Sequence, residues 1–105
     1  MTNAASYKED GTRVTPLKES ASRKGDLAEF YAVTWLWDHG YEVFLNAGCT
    51  GPIDMIAYKD GEITLVDVKS LNSKVTRTDE QKKLGVVLLR FNPKTRKLSW
   101  VDHRE

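Results

Sequence analysis

Three ionisable side chains stand in an apolar setting between residues 51 and 70: Asp54 opens one apolar run, and Asp67 and Lys69 sit near the end of the next. Charges taken out of water cost several kcal/mol unless they are paired or bound to a cation, so their grouping calls for a use. Alternate residues of a strand share a face, which sends Asp67 and Lys69 the same way with Cα atoms roughly 6–7 Å apart. Asp54 shares its face with Ile56 and Tyr58, and a short turn between the runs brings it near Asp67 at the far end of the hairpin. Two carboxylates converging in a low dielectric repel each other, and a divalent cation turns that repulsion into binding. Ligands that are all oxygen favour Mg2+, with Mn2+ as a substitute, over zinc. A structural ion pair between Asp67 and Lys69 is the competing explanation, and it leaves Asp54 and Glu29 unaccounted for.

Glu29 is the fourth candidate. A helix is expected from about Ser22 to His39, with Ser22 as N-cap and Gly40 as the left-handed residue that stops it. At about 100° per residue, Glu29 falls on a stripe with Gly25, Ala32, Val33 and Leu36 that should face the sheet. Gly25, one turn earlier, leaves room for the helix to approach the sheet or for a water molecule.

The elements that must position these groups follow from patterning. Strands are expected at Tyr41 to Leu45, Ile53 to Tyr58 and Glu62 to Lys69, with Asp60-Gly61 making the tight turn between the last two. Asn46 to Pro52 reads as a loop by its glycines and proline. Thr78 opens a short helix, and Val86 to Phe91 and Leu98 to Asp102 are the last strands, joined by a turn around Asn92 to Arg96. Apolar residues occur at both parities in the second and third strands, which predicts a sheet covered on both faces. The fold class expected is α/β, with a mixed sheet flanked by helices in αβββαβ order plus a final strand. Residues 1–20 read as a flexible N-terminal arm and 21–105 as a single domain.

In this order the residues resemble the PD-(D/E)xK nuclease superfamily, most like the archaeal Holliday junction resolvases and small phage endonucleases. The matching pieces are Lys24-Gly25 with Ala28-Glu29, Pro52-Ile53-Asp54, and Asp67-Val68-Lys69, spanning about Lys24 to Ser70. Two departures stand out: Ile53 separates Pro52 from Asp54, and Asp67 replaces the commoner glutamate. The resemblance implies a restriction-endonuclease-like core and a metal-dependent DNA endonuclease. In it Asp54 and Asp67 bind Mg2+, the Val68 carbonyl and Glu29 assist, and Lys69 positions or helps deprotonate the attacking water. Branched DNA, a four-way junction above all, is the implied substrate. The alternatives are a nuclease for single-stranded, flap or end-containing DNA, or a noncatalytic DNA-binding module of the same fold.

The remaining residues bear on partners. Arg23, Lys24, Lys74, Arg77 and Lys82, and the turn bases Lys94, Arg96 and Lys97, are candidate phosphate contacts. Gln81 fits either an accessory place near the metal or a capping box begun by Thr78. Net charge is +1, but residues 27–68 carry one basic and seven acidic side chains while residues 69–105 carry ten and four. That asymmetry suits a cation site within a surface that attracts polyanions. A homodimer is expected, since two sites cut two strands symmetrically. The single cysteine, Cys49, excludes an internal disulfide and a cysteine zinc cage and suits a reducing cytoplasm. No apolar run approaches the roughly 20 residues needed to span a bilayer, so no membrane partner is expected.

Overall fold

The computed structural model describes residues 21–48, 50–70 and 75–103. The expected arm over residues 1–20, Cys49 and Lys74 lie outside them. Helix α1 (Ala21–Asp38) is followed by strands β1 (Glu42–Leu45), β2 (Met55–Lys59) and β3 (Glu62–Ser70), helix α2 (Asp79–Leu84), and strands β4 (Val87–Asn92) and β5 (Lys97–Trp100). The strands form one mixed sheet in the order β1-β2-β3-β4-β5, with β3 and β4 parallel and every other pair antiparallel. The fold is α/β with a restriction-endonuclease-like core, in the expected order of elements. Among the described residues no helix is long and apolar enough to cross a membrane.

Helix α1 packs on one face through Ala28, Ala32, Val33 and Leu36. Their spacing of one turn gives a narrow buried stripe, and the small alanines let the helix lie close to Met55, Ala57, Val66, Leu89 and Phe91. The helix already includes Ala21, so Ser22 is a helical residue and not the N-cap. It stops as expected at Gly40, whose φ is 85°. The Tyr41 N–H donates to the Leu36 carbonyl at 3.0 Å and the Gly40 N–H to Trp37 at 3.0 Å, the bond pair of a Schellman motif. Lys59 reaches from the β2–β3 hairpin to the His39 carbonyl at 2.7 Å, so a cation satisfies the helix end.

Asp60 and Gly61, at φ 53° and 81°, form the two-residue turn between Lys59 and Glu62. Both central residues at positive φ match the right-handed twist of the strands and fix the register. That register pairs Met55 with Val66 and leaves Asp54 and Asp67 at the next position along. At the other hairpin, the Asn92 side chain accepts from the backbone N–H of Lys94 at 2.9 Å, and Arg96 closes the turn at φ 63°.

The expectation of two covered faces is corrected over β1 to β3. Phe44 and Ile63, which alternation turns away from α1, are 56% and 67% exposed. The six-residue α2 is too short to roof them. Val86 and Leu88, fully buried on the β4 side, stand outside the α1 cluster and show that the second face is covered only near the site.

Gly25 is exposed, and a Cβ there would meet nothing within 4 Å, so no close approach of helix to sheet occurs at that point. Replacing it by alanine removes a helix-interior glycine penalty of about 0.5–1 kcal/mol. Gly61→Ala instead places a Cβ in the left-handed region at a cost of about 1–2 kcal/mol. With about 4–8 °C per kcal/mol for a domain near this size, thermal melting should show Gly25→Ala more stable than the parent and Gly61→Ala less stable. A Gly25→Ala variant that melts lower would mean the helix face is packed there.

Candidate active site

Asp54 ends the loop between β1 and β2, and Asn46 holds that loop. The Asn46 Nδ2 donates to the carbonyls of Thr50 at 2.7 Å and Ile53 at 2.9 Å, its Oδ1 accepts from the Gly48 N–H at 3.0 Å, and its backbone N–H donates to the Asp54 carbonyl at 3.0 Å. Asp54 itself donates its N–H to Val66 at 2.9 Å. Its Oδ2 accepts the Val68 N–H at 2.7 Å, so a side chain takes over where the β2 backbone leaves the ladder. In an extended strand the N–H and C=O of one residue point to the same edge. The Val68 carbonyl is thereby turned toward the Asp54 side, beyond the last residue of β2 in register with β3.

Asp67 lies on β3 one residue after Val66, on the opposite face, and is buried. Its Oδ2 takes the Lys69 Nζ at 3.3 Å and the Gln81 Nε2 at 2.9 Å. Gln81 makes the expected capping box and also bonds to Asp67. Its Oε1 accepts the Thr78 N–H at 3.0 Å while its backbone N–H donates to the Thr78 hydroxyl at 3.1 Å, a complete capping box on α2. The remaining Nε2 hydrogen reaches the Pro52 carbonyl at 2.9 Å. One buried amide therefore joins α2, the loop before Asp54 and the Asp67 carboxylate, and its own hydrogen-bonding groups are satisfied in doing so.

The carboxyls of Asp54 and Asp67 come close enough for each to influence the other's proton. Burial is the largest cause raising the Asp54 carboxyl to about 7, followed by the neighbouring Asp67 side chain, with the charges of Asp67 and Glu29 adding to it and the Val68 N–H opposing. Glu29 is also raised, first by burial and then by the charges of Asp26 and Asp67. It flanks a groove of about 180 Å³ bounded by Asp26, Phe30, Val33, Leu45 and Asn46. Among the described residues no three His, Cys, Asp or Glu side chains gather closely enough to cage a metal ion. Glu29 thus bears on the pair through its field, and the convergent groups are Asp54 and Asp67. This donor set fits magnesium, which is commonly held by one or two carboxylates together with substrate phosphate rather than by an all-protein cage.

The candidate phosphate contacts are scattered around this centre. Arg23 and Lys24 are exposed on the first turns of α1, and Lys82 is exposed on α2 beside Gln81. Arg77 donates its Nη1 to the Val86 carbonyl at 3.2 Å, an anchoring bond at the start of β4. Asn46 is hidden in the sequence, where only an asparagine two residues before a glycine hints at the turn its side chain makes.

No protein-family model matches the chain, and no curated protein matches it. Among solved structures, the chain is similar to a bacterial homing endonuclease, I-Ssp6803I, with a TM-score of 0.61 and 19% identity. The match covers 78% of this chain, which spans 64% of that one. At that identity the two share a fold.

Proposed function

We propose that the protein is a metal-dependent DNA endonuclease of the PD-(D/E)xK type, in which Asp54 and Asp67 hold Mg2+, or Mn2+ in its place. The observation that carries this reading is the convergence of two carboxyls beside Lys69, placed by the hairpin register and held by the Val68 N–H and Gln81, at the end of a sheet whose fold is shared with a homing endonuclease. Asp54 and Asp67 would hold the divalent ion, which when bound would supply Lewis acidity toward the phosphate and acidify a water. The Val68 carbonyl, turned to the same side, is an additional oxygen donor. Gln81 and Lys69 fix the Asp67 Oδ2, leaving Asp54 tied through one oxygen to the Val68 N–H. Lys69, half-exposed, orients the attacking water, and Glu29 adds negative potential that draws a cation to the pair. Four-way junctions are the preferred substrate on the sequence resemblance. A homodimer, with two such sites, would cut both strands.

Asp67→Asn keeps the shape needed by Gln81 while removing the charge. Losing several kcal/mol of electrostatic stabilisation corresponds to at least about 10³-fold in rate. Incubation of parent and variant with labelled junction, flap, single-stranded and duplex DNA, with and without Mg2+, should show Mg2+-dependent cleavage by the parent alone and DNA binding by both. Binding without cleavage by the parent on any substrate would favour the noncatalytic module. Cleavage of single strands with junctions left intact would remove the junction preference and keep the nuclease.

The carboxyl pair also predicts a pH dependence for the metal-free protein. Asp54 is raised to about 7 in the folded state, against about 3.9 for an unperturbed aspartate, so the native state holds the proton more tightly. Its stabilising contribution is fully present below the unfolded value and is lost as pH rises through that window. In EDTA, the melting temperature of Asp54→Asn should gain on that of the parent between pH 5 and pH 8, and Mg2+ at pH 8 should raise only the parent. A gap that stays constant with pH would mean the two carboxyls do not compete.

A further inference from the structure

We infer that the β4–β5 hairpin is a rigid clamp for the phosphate backbone of the DNA flanking the cleavage site, with Arg96 and Lys94 as its contacts. This rests on the nucleic-acid reading above. Four consecutive exposed residues, Lys94 to Lys97, carry three cations, and no acidic side chain occurs between Phe91 and Asp102. Arg96 holds φ at 63°, a conformation glycine would adopt at less cost, so the turn keeps a guanidinium where backbone economy argues against it. The guanidinium lies over the Tyr31 ring of α1, 5.3 Å from its centre, and Tyr31 stacks on the buried Phe91 at 5.2 Å. Cation–π contact uses the face of the guanidinium and leaves its N–H edge to meet a phosphate. The Asn92 side chain and the Arg96 N–H bond to the Asn92 carbonyl, at 2.7 Å, hold the rest of the turn.

The place of the hairpin matters as much as its charge. Strands β3 and β4 run parallel with Lys69 opposite Arg90, and the turn begins after Asn92. The tip therefore lies roughly 7–15 Å past Lys69 in the direction in which β3 leaves the site. That is about two to four base pairs along a duplex at 3.4 Å per pair. The centre itself is acidic and repels phosphate until a cation is bound, so cations on the rim are what would hold a strand in register across it.

The test is DNA binding in EDTA, where no cleavage competes, as a function of salt. Arg96→Gly relaxes the turn while giving up the Tyr31 contact, so its melting temperature should stay within a few degrees of the parent's, while affinity for junction and duplex DNA falls severalfold. In Lys94→Ala/Arg96→Gly the loss should reach roughly tenfold, and the slope of log affinity against log salt should shrink by about one per cation removed. Lys59→Gln removes an equal charge at the opposite end of the sheet and should change affinity less than about twofold. Parental affinity and slope in the double variant, a loss as large in Lys59→Gln, or no DNA binding by the parent would each overturn the clamp. If the parent cleaves with Mg2+ while the double variant binds normally, the clamp fails and the nuclease stands. Hairpin-dependent binding by a parent that never cleaves would instead uphold the clamp and remove the nuclease.

Discussion

The end of the sheet that carries the candidate site depends on two carboxyls being brought together. Asp54 and Asp67 sit one position beyond the last paired residues of a tight hairpin, Met55 and Val66, and they approach because the register leaves them nowhere else to go. Backbone and amide groups, not the carboxylates' own attraction, secure the approach: the Val68 N–H holds Asp54, and Gln81 holds Asp67. Among the described residues one cation, Lys69, stands in salt-bridge contact with the pair, through Asp67. Protonation of Asp54, favoured first by burial and then by its neighbour, relieves the excess of negative charge, and a divalent ion would relieve it more completely.

The opposite end of the sheet is tied down. There α1 finishes in a Schellman motif and Lys59 donates to the His39 carbonyl, while farther across the sheet Trp35 packs edge-on against Trp100 at 5.8 Å. The helix joins the two ends. Leu36 is anchored among core residues, and Glu29, two turns earlier, reaches the electrostatic field of the carboxyl pair. Local consistency in one region thus offsets local conflict in another, as expected where a site rather than stability dictates the residues.

Much of this is legible in the sequence, and what is not has physical reasons. Gly40 and Asp60-Gly61 stand out because only certain residues take positive φ cheaply. The strand alternation places Asp67 and Lys69 on one face, and they make an ion pair. Gln81 cannot be divided between cap and site because its amide serves both, a sharing that spacing cannot express. Parity shows two apolar faces on β2 and β3 but not whether anything covers them, and Ile63 lies open. Asn46 acts through side-chain bonds to backbone inside an irregular loop, where no periodicity exists to read. Ser22 has the side chain of an N-cap, but the helix already includes Ala21 before it.

Whether Asp54 and Asp67 together hold a divalent cation is tested by crystals grown with Mn2+ and measured for anomalous scattering. A peak within bonding distance of both carboxylates, absent in Asp54→Asn, is the result the account predicts. Full Mn2+ in the crystal with no peak between the two carboxylates would contradict it.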